Sequence, residues 1–249
     1  MTLSLQSISK TRRTIAPKIV LFGPGKIGKS TFAASAPAPI AIPTEDGLSN
    51  LDVDAFPLCT SLSEVYEAIG VLLTEAHEFK TVFLDSLDWL EPLLHAHVCA
   101  VNGWESIESA GYGKGYVAAS EEWRQVLAGF DALRNERAMT VILIAHEQIK
   151  RFESPMTESY DLYTLKLHQR ASAVVQEWAD VIGFAQYRTL TRKEDAGFNK
   201  KETKAMGTGE RLLHLQAQPS FLAGNRFGMP AEIPLAWDAF ANALLPVPF

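Results

Sequence analysis

Residues 23–31, Gly23-Pro24-Gly25-Lys26-Ile27-Gly28-Lys29-Ser30-Thr31, decide how this chain reads. The spacing from Gly23 to Gly28, Lys29 and Ser30 is that of a phosphate cradle, G-x-x-x-x-G-K-[ST]. Glycines let backbone N–H groups turn inward around phosphate oxygens with no Cβ in the way. Pro24, Gly25, Lys26 and Ile27 form the body of the loop. Lys29 brings a positive charge to the β- and γ-phosphates, and Ser30 brings a hydroxyl to Mg²⁺. Thr31 opens a helix whose N-terminal dipole also faces the phosphates. The competing reading is an accidental glycine-rich turn. The flanks weigh against it, because 18–22 (KIVLF) is a short apolar strand and 30–36 is Ala-rich and helix-compatible. Strand, loop and helix is the setting a phosphate loop needs.

Outward from the loop, apolar runs alternate with helical patterns. Strands are expected at 39–43, 81–84, 140–144, 181–187 and 211–215. Helices are expected at 62–76, 87–101, 117–134 and 171–178. Continuously apolar strands separated by helices predict a mostly parallel sheet covered on both faces. The later strands have fewer helices between them, so antiparallel pairing is expected at the C-terminal end. This is an α/β fold, with ligands at the C-terminal strand ends. Residues 17–249 are expected to form one domain, and the polar, Ser/Thr-rich residues 1–16 a mobile arm.

Composition narrows the class. The 249 residues are 47% hydrophobic and 21% charged, enough for a full core in one domain. No apolar run is long enough to span a bilayer, and Lys10, Arg12 and Arg13 are not followed by the apolar stretch of a secretory signal. Cys59 and Cys99 suggest no disulfide framework, so the cytoplasm (that of a host cell for a phage protein) is the expected compartment, with no membrane partner. A net charge of −6 excludes a bulk-basic nucleic-acid coat and leaves any DNA contact to local patches.

Three further segments carry phosphate-site chemistry. Thr81-Val82-Phe83-Leu84-Asp85 is an apolar strand ending in an acid, which can hold the Mg²⁺ shell together with Ser30. The alternative is that Asp85 caps the next helix, a task open to Ser86 and Asp88 as well. Glu45, in Pro43-Thr44-Glu45-Asp46-Gly47 after the second strand, is placed to polarise an attacking water as general base. The alternative is a plain acidic turn, since Asp-Gly is good turn chemistry. His146 and Gln148 end the fourth apolar strand, where either can sense a γ-phosphate.

These pieces in this order resemble the RecA/RadA-like ATPase core, and within it the compact phage single-strand annealing proteins of the Sak group. The resemblance covers roughly residues 17–240. Gly111-Tyr112-Gly113-Lys114-Gly115-Tyr116 falls where the family's first DNA loop lies. Glu147 to Leu167, with Lys150, Arg151 and Lys166, falls where the second lies. Gly224-Asn225-Arg226-Phe227-Gly228 is similar to the K-N-R-F-G motif of RadA, with Gly224 in place of the lysine. The resemblance implies an ATPase using ATP and Mg²⁺, stimulated by DNA and acting in recombination or strand annealing. It implies single-stranded DNA held by Tyr112, Lys114, Tyr116, Lys150, Arg151 and Lys166, through phosphate contacts and stacking. It also implies a homo-oligomer in which Arg226 reaches a neighbour's nucleotide, with a single-strand-binding protein as a further partner. A nucleotide-switched scaffold without turnover, and a P-loop phosphotransferase on a small molecule, are the alternatives; the second lacks an Arg-rich lid.

Other features are set aside. On a helix His95 and Cys99 share a face while His97 points elsewhere, so a metal site is not expected. Arg188, Arg192, Lys193, Lys200, Lys201 and Lys204 fall on an expected hairpin, where a charged surface is ordinarily solvated.

Overall fold

The structure is a computed structural model describing residues 16–154, 158–195 and 201–244, with backbone alone at 189–195 and 201–208. The expected arm lies outside these residues, apart from Ala16. So do Lys200 and the side chains of Arg192, Lys193, Lys201 and Lys204.

In chain order the elements are β1 (Lys18–Gly23), α1 (Lys29–Ala34), β2 (Pro39–Pro43), β3 (Asp54–Ala55), α2 (Leu62–Thr74) and β4 (Thr81–Asp85). Then come α3 (Leu87–Asn102), α4 (Lys114–Arg137), β5 (Thr140–Phe152), β6 (Tyr160–Leu165) and α5 (Gln169–Trp178). The chain closes with β7 (Val181–Asp195), β8 (Lys201–His214), β9 (Gly224–Asn225), β10 (Glu232–Pro234) and α6 (Trp237–Leu244). The sheet order is β10-β8-β7-β1-β5-β4-β2-β3. From β7 to β3 every pair is parallel. β8, β9 and β10 join antiparallel, as expected for the C-terminal end.

Alternation along each strand divides the core in two. Val20, Phe22, Val82, Leu84, Val141 and Leu143 face the layer built by α2, α3, α4 and α5, around the fully buried Trp123 and Phe130. Ile19, Leu21, Phe83, Ile142 and Ile144 face the other layer, where Phe32 of α1 and Phe240 of α6 meet edge to face at 5.7 Å. Sealing both faces is why these strands read as unbroken apolar runs. The topology also aims the site. β1, β4 and β5 run parallel, so Gly23, Asp85 and His146 emerge together at one edge of the sheet.

Two local expectations are corrected. Residues 147–167 are not an irregular loop. β5 continues to Phe152 and pairs antiparallel with β6, from Glu147↔Leu165 to Phe152↔Tyr160, making a ribbon that leaves the sheet. Its backbone groups pair with each other, which an extended loop would leave to water. The helix expected from Val117 begins at Lys114. The 104–113 segment before it is braced by Ser106 and Ser109 bonding each other's backbone, and a turn closed by Lys114 N–H on Gly111 O at 3.0 Å leads straight into α4. Lys114 and Tyr116 are therefore helical residues.

Candidate functional site

The loop after β1 is built around two glycines. Gly23 has φ 151°, and a Cβ there would run into the Ala185 carbonyl of β7. Gly28 has φ 107° and is the N-cap of α1. Neither position tolerates a side chain, so two motif glycines are demanded by packing as well as by any ligand. Lys29 is buried, and its ammonium donates to the carbonyls of Gly23 and Pro24, both at 2.8 Å. Burial lowers its pKa, while Glu147, Asp85, Asp88 and Glu45 around it oppose that shift. The charge is thus held by loop carbonyls, ready to pass to a stronger acceptor.

The Ser30 hydroxyl donates to Asp85 Oδ2 at 2.6 Å. That contact joins the end of the cradle to the end of β4 and places two hard oxygen donors side by side. It fits Mg²⁺, which takes one or two protein oxygens and fills its remaining positions with water and phosphate. Asp85 itself is buried.

Glu45 is positioned by its neighbours. Thr44 Oγ1 accepts from Ser86 N–H at 2.8 Å and donates to Ser86 O at 2.7 Å. The Glu45 N–H donates to Asp85 O at 3.2 Å. β2 and β4 are thereby tied beyond their last paired residues, and the Glu45 carboxyl is held beside Asp85. Burial, and then the Asp85 charge, push its pKa from 4.5 up to about 7. A carboxylate poised near neutrality suits a general base.

His146 closes the site from β5. Its Nδ1 lies 3.0 Å from Asp88 Oδ2, and its N–H donates to Asp88 Oδ1 at 2.9 Å. The hydrogen bond to Asp88 raises the His146 pKa. Burial works to raise Asp88, but hydrogen bonds from His146 and Ser86 outweigh it and its pKa is lowered. A Cβ at Gly25 would come within 3.9 Å of His146 Nε2, so the ring faces the cradle. A cleft of about 230 Å³ lies between Lys26, Lys29, Ser30, Thr31 and His146 on one side and Gly47, Asn50 and Leu51 on the other.

The remaining expected residues are spread wider. Tyr112 is fully exposed. Tyr116 stacks on His168 with centroids 4.0 Å apart, and its hydroxyl donates to Glu108, so one ring face is already taken. Lys114 and Lys150 are exposed, and Arg151 lies 3.9 Å from Asp161 across the ribbon. Lys166 sits 3.8 Å from Asp88, the carboxylate that also holds His146. Arg226 is elsewhere. Its Nη1 is 3.4 Å from Asp180 Oδ1 and its Nη2 donates to Glu177 O at 3.1 Å. Asp180 precedes β7 at the end of the sheet opposite the cradle. Across the six residues of β1, at about 3.3 Å per residue, that separation is roughly 20 Å.

Sequence reasoning missed three contributors: Asp88, weighed only as a cap; Thr44, whose hydroxyl bridges two strands; and Arg211, which approaches the cradle from β8. Asp88 had a signal, standing on the same strand-to-helix turn as Asp85. Thr44 and Arg211 had none, because their partners lie far along the chain.

Residues 15–227 match a family model described as an AAA domain. No curated protein matches the chain.

Proposed function

The chain belongs to the AAA domain family of P-loop ATPases, and from that premise we propose that it is a RecA-like ATPase that binds single-stranded DNA and acts in recombination or strand annealing. The observation that carries the ATPase part is the meeting of Ser30, Asp85 and Glu45. A Mg²⁺-type oxygen pair lies beside a carboxyl whose pKa is about 7, at the mouth of a phosphate cradle. Lys29 exchanges the Gly23 and Pro24 carbonyls for phosphate oxygens. Ser30 and Asp85 would hold Mg²⁺, which would supply charge neutralisation on the phosphates. Glu45 takes a proton from water as the water oxygen bonds to the γ-phosphorus and the bond to the ADP oxygen breaks. His146, kept in place by Asp88, faces the cradle as a sensor of the terminal phosphate.

Removing the cradle charge tests the nucleotide site. Lys29→Ala is expected to lose on the order of tenfold to a hundredfold in ATP affinity, the range of charge-assisted hydrogen bonds to one ammonium. Equilibrium dialysis reads it, and wild-type affinity in the variant sinks the assignment.

For DNA, support comes from the ribbon. β5 carries His146 at the site and runs unbroken to Lys150 and Phe152. Lys150, Phe152 and Tyr160 share one ribbon face, by strand alternation and by the Phe152↔Tyr160 pairing. The Phe152 and Tyr160 rings lie 5.3 Å apart, and Phe152 is 43% exposed. An exposed cation beside an exposed ring is what a stacked, sequence-tolerant strand requires. Tyr112 adds a second free ring. Lys166 touches Asp88 and so links the ribbon to His146.

Single-stranded DNA is expected to bind more weakly as salt rises, because phosphate contacts release counterions. Tyr112→Ala combined with Phe152→Ala is expected to cost about 1–3 kcal/mol per lost stack. Fluorescence anisotropy with an oligonucleotide measures both. Unchanged affinity in the double variant returns these rings to ordinary surface. The deciding experiment for the function is the ATPase rate with and without single-stranded DNA. Equal rates would remove the DNA-coupled reading and favour a switch or a small-molecule enzyme.

A further inference from the structure

The cradle is flanked on two sides. Toward β5 and β4 stand His146, Asp85 and Glu45. Toward β7 and β8 stands Arg211, from a strand paired antiparallel to β7 at Tyr187↔Arg211. Its Nη1 donates to Ile27 O at 3.2 Å. The same nitrogen lies 2.5 Å from where a Cβ at Gly28 would stand. The guanidinium therefore rests on the cradle, over the glycine that precedes Lys29.

Arg211 is exposed, and of its five N–H donors one is bonded to a neutral carbonyl while the others face water. Among the described residues no carboxylate pairs with it. It lies over Gly28 and Ile27, so it adds positive charge at the cradle. Such an arrangement gains its full complement of hydrogen bonds when a phosphate enters, since the planar fork matches phosphate oxygens.

We propose that Arg211 is a nucleotide-binding residue, supplied by the same chain, that contacts a phosphate retained in ADP. This rests on the reading of the cradle as an ATP site. The side of approach fixes which phosphate. Glu45 and Asp85 mark the hydrolysing end, toward β4 and β5. Arg211 comes from across the loop, beside Gly28, so the oxygens within its reach belong to the half of the nucleotide that survives hydrolysis. Arg211 thus differs from Lys29, which spans toward the γ-phosphate, and from Arg226, at the far end of the sheet.

The test is ADP and ATP affinity of the full chain, by titration with a fluorescent analogue and competition with unlabelled nucleotide. Arg211→Ala is expected to weaken ADP and ATP by the same factor, about tenfold to a hundredfold. Arg211→Gln keeps a donor for Ile27 O without the charge, and is expected to bind as weakly as the alanine variant. Arg211→Lys is expected to recover part of the loss. Wild-type affinity in the glutamine variant would make Arg211 a brace for the loop and overturn the proposal. Unchanged ADP affinity with lowered kcat would overturn it too, moving the residue to the γ-phosphate. If the wild type binds neither nucleotide, the cradle reading falls and the proposal with it, an outcome visible before any variant is made.

Discussion

Arg226→Ala is expected to bind ATP nearly as the wild type does and to hydrolyse it about 10³-fold or more slowly. The first half follows from position. Arg226 lies at the end of the sheet where β7 begins, paired with Asp180, while the cradle lies where β1 ends. It does not reach its own chain's nucleotide, so its removal leaves that affinity alone. The second half follows from what the motif presents. Asn225 Oδ1 accepts the N–H groups of Phe227 at 3.1 Å and Met229 at 2.9 Å, fixing a turn. That turn leaves Arg226 exposed, with Phe227 42% exposed beside it. If, as the resemblance to the RadA motif implies, Arg226 serves a neighbouring copy of the chain, it would there exchange Asp180 for the charge on a transferring phosphoryl group. Mixing Arg226→Ala with Lys29→Ala subunits is expected to restore part of the activity, because a mixed junction can pair an intact cradle with an intact Arg226. Turnover assays of the mixture, with sedimentation to show assembly, measure it. Full-rate hydrolysis by Arg226→Ala, or a monomer in the presence of ATP and DNA, rules the shared site out.

Glu45→Gln is expected to keep ATP binding and lose about 10²–10⁴-fold in hydrolysis, the range of a removed general base. Shape and hydrogen bonding at the position survive, and the proton acceptor does not. The wild type carries a pH signature. The Glu45 pKa is pushed up to about 7 by burial and by Asp85, so the base is protonated in acid. Activity should fall in acid as Glu45 is protonated, and that fall should be absent from the residual rate of Glu45→Gln. Stability moves the other way. A folded-state pKa raised from 4.5 means the protonated form is favoured in the fold. The stability contributed by Glu45 is fully present below pH 4.5 and is lost as pH rises through about 7. Glu45→Gln should therefore melt at a temperature less sensitive to pH across that window, read by calorimetry at pH 5 and 8. A variant hydrolysing at the wild-type rate places the base elsewhere.

Much of the architecture was legible along the chain. The cradle is contiguous, so its spacing alone identified the loop and the helix that follows it. The apolar runs 18–22, 81–84 and 140–144 read as buried strands because each is sealed on both faces, which leaves no polar position to blur the pattern. Asp85 and His146 were legible because each ends such a run, and parallel strands deliver their C-terminal ends to one edge. The ribbon of β5 and β6 was not legible. Lys150, Arg151 and Asp161 are polar and exposed, and a two-stranded ribbon with solvated faces lacks the apolar period that marks a strand.

What the sequence by itself determined is therefore local: a phosphate cradle, the strands that frame it, and the acids that follow those strands directly. What only the tertiary structure decided is which distant residues converge there. Thr44 ties β2 to β4, Asp88 orients His146 and meets Lys166, and Arg211 arrives from a strand on the far side of β7. Tyr116 is claimed by His168, and Arg226 is carried to the opposite end of the sheet. Each of these depends on pairing between segments far apart in the chain, which no spacing in the sequence records.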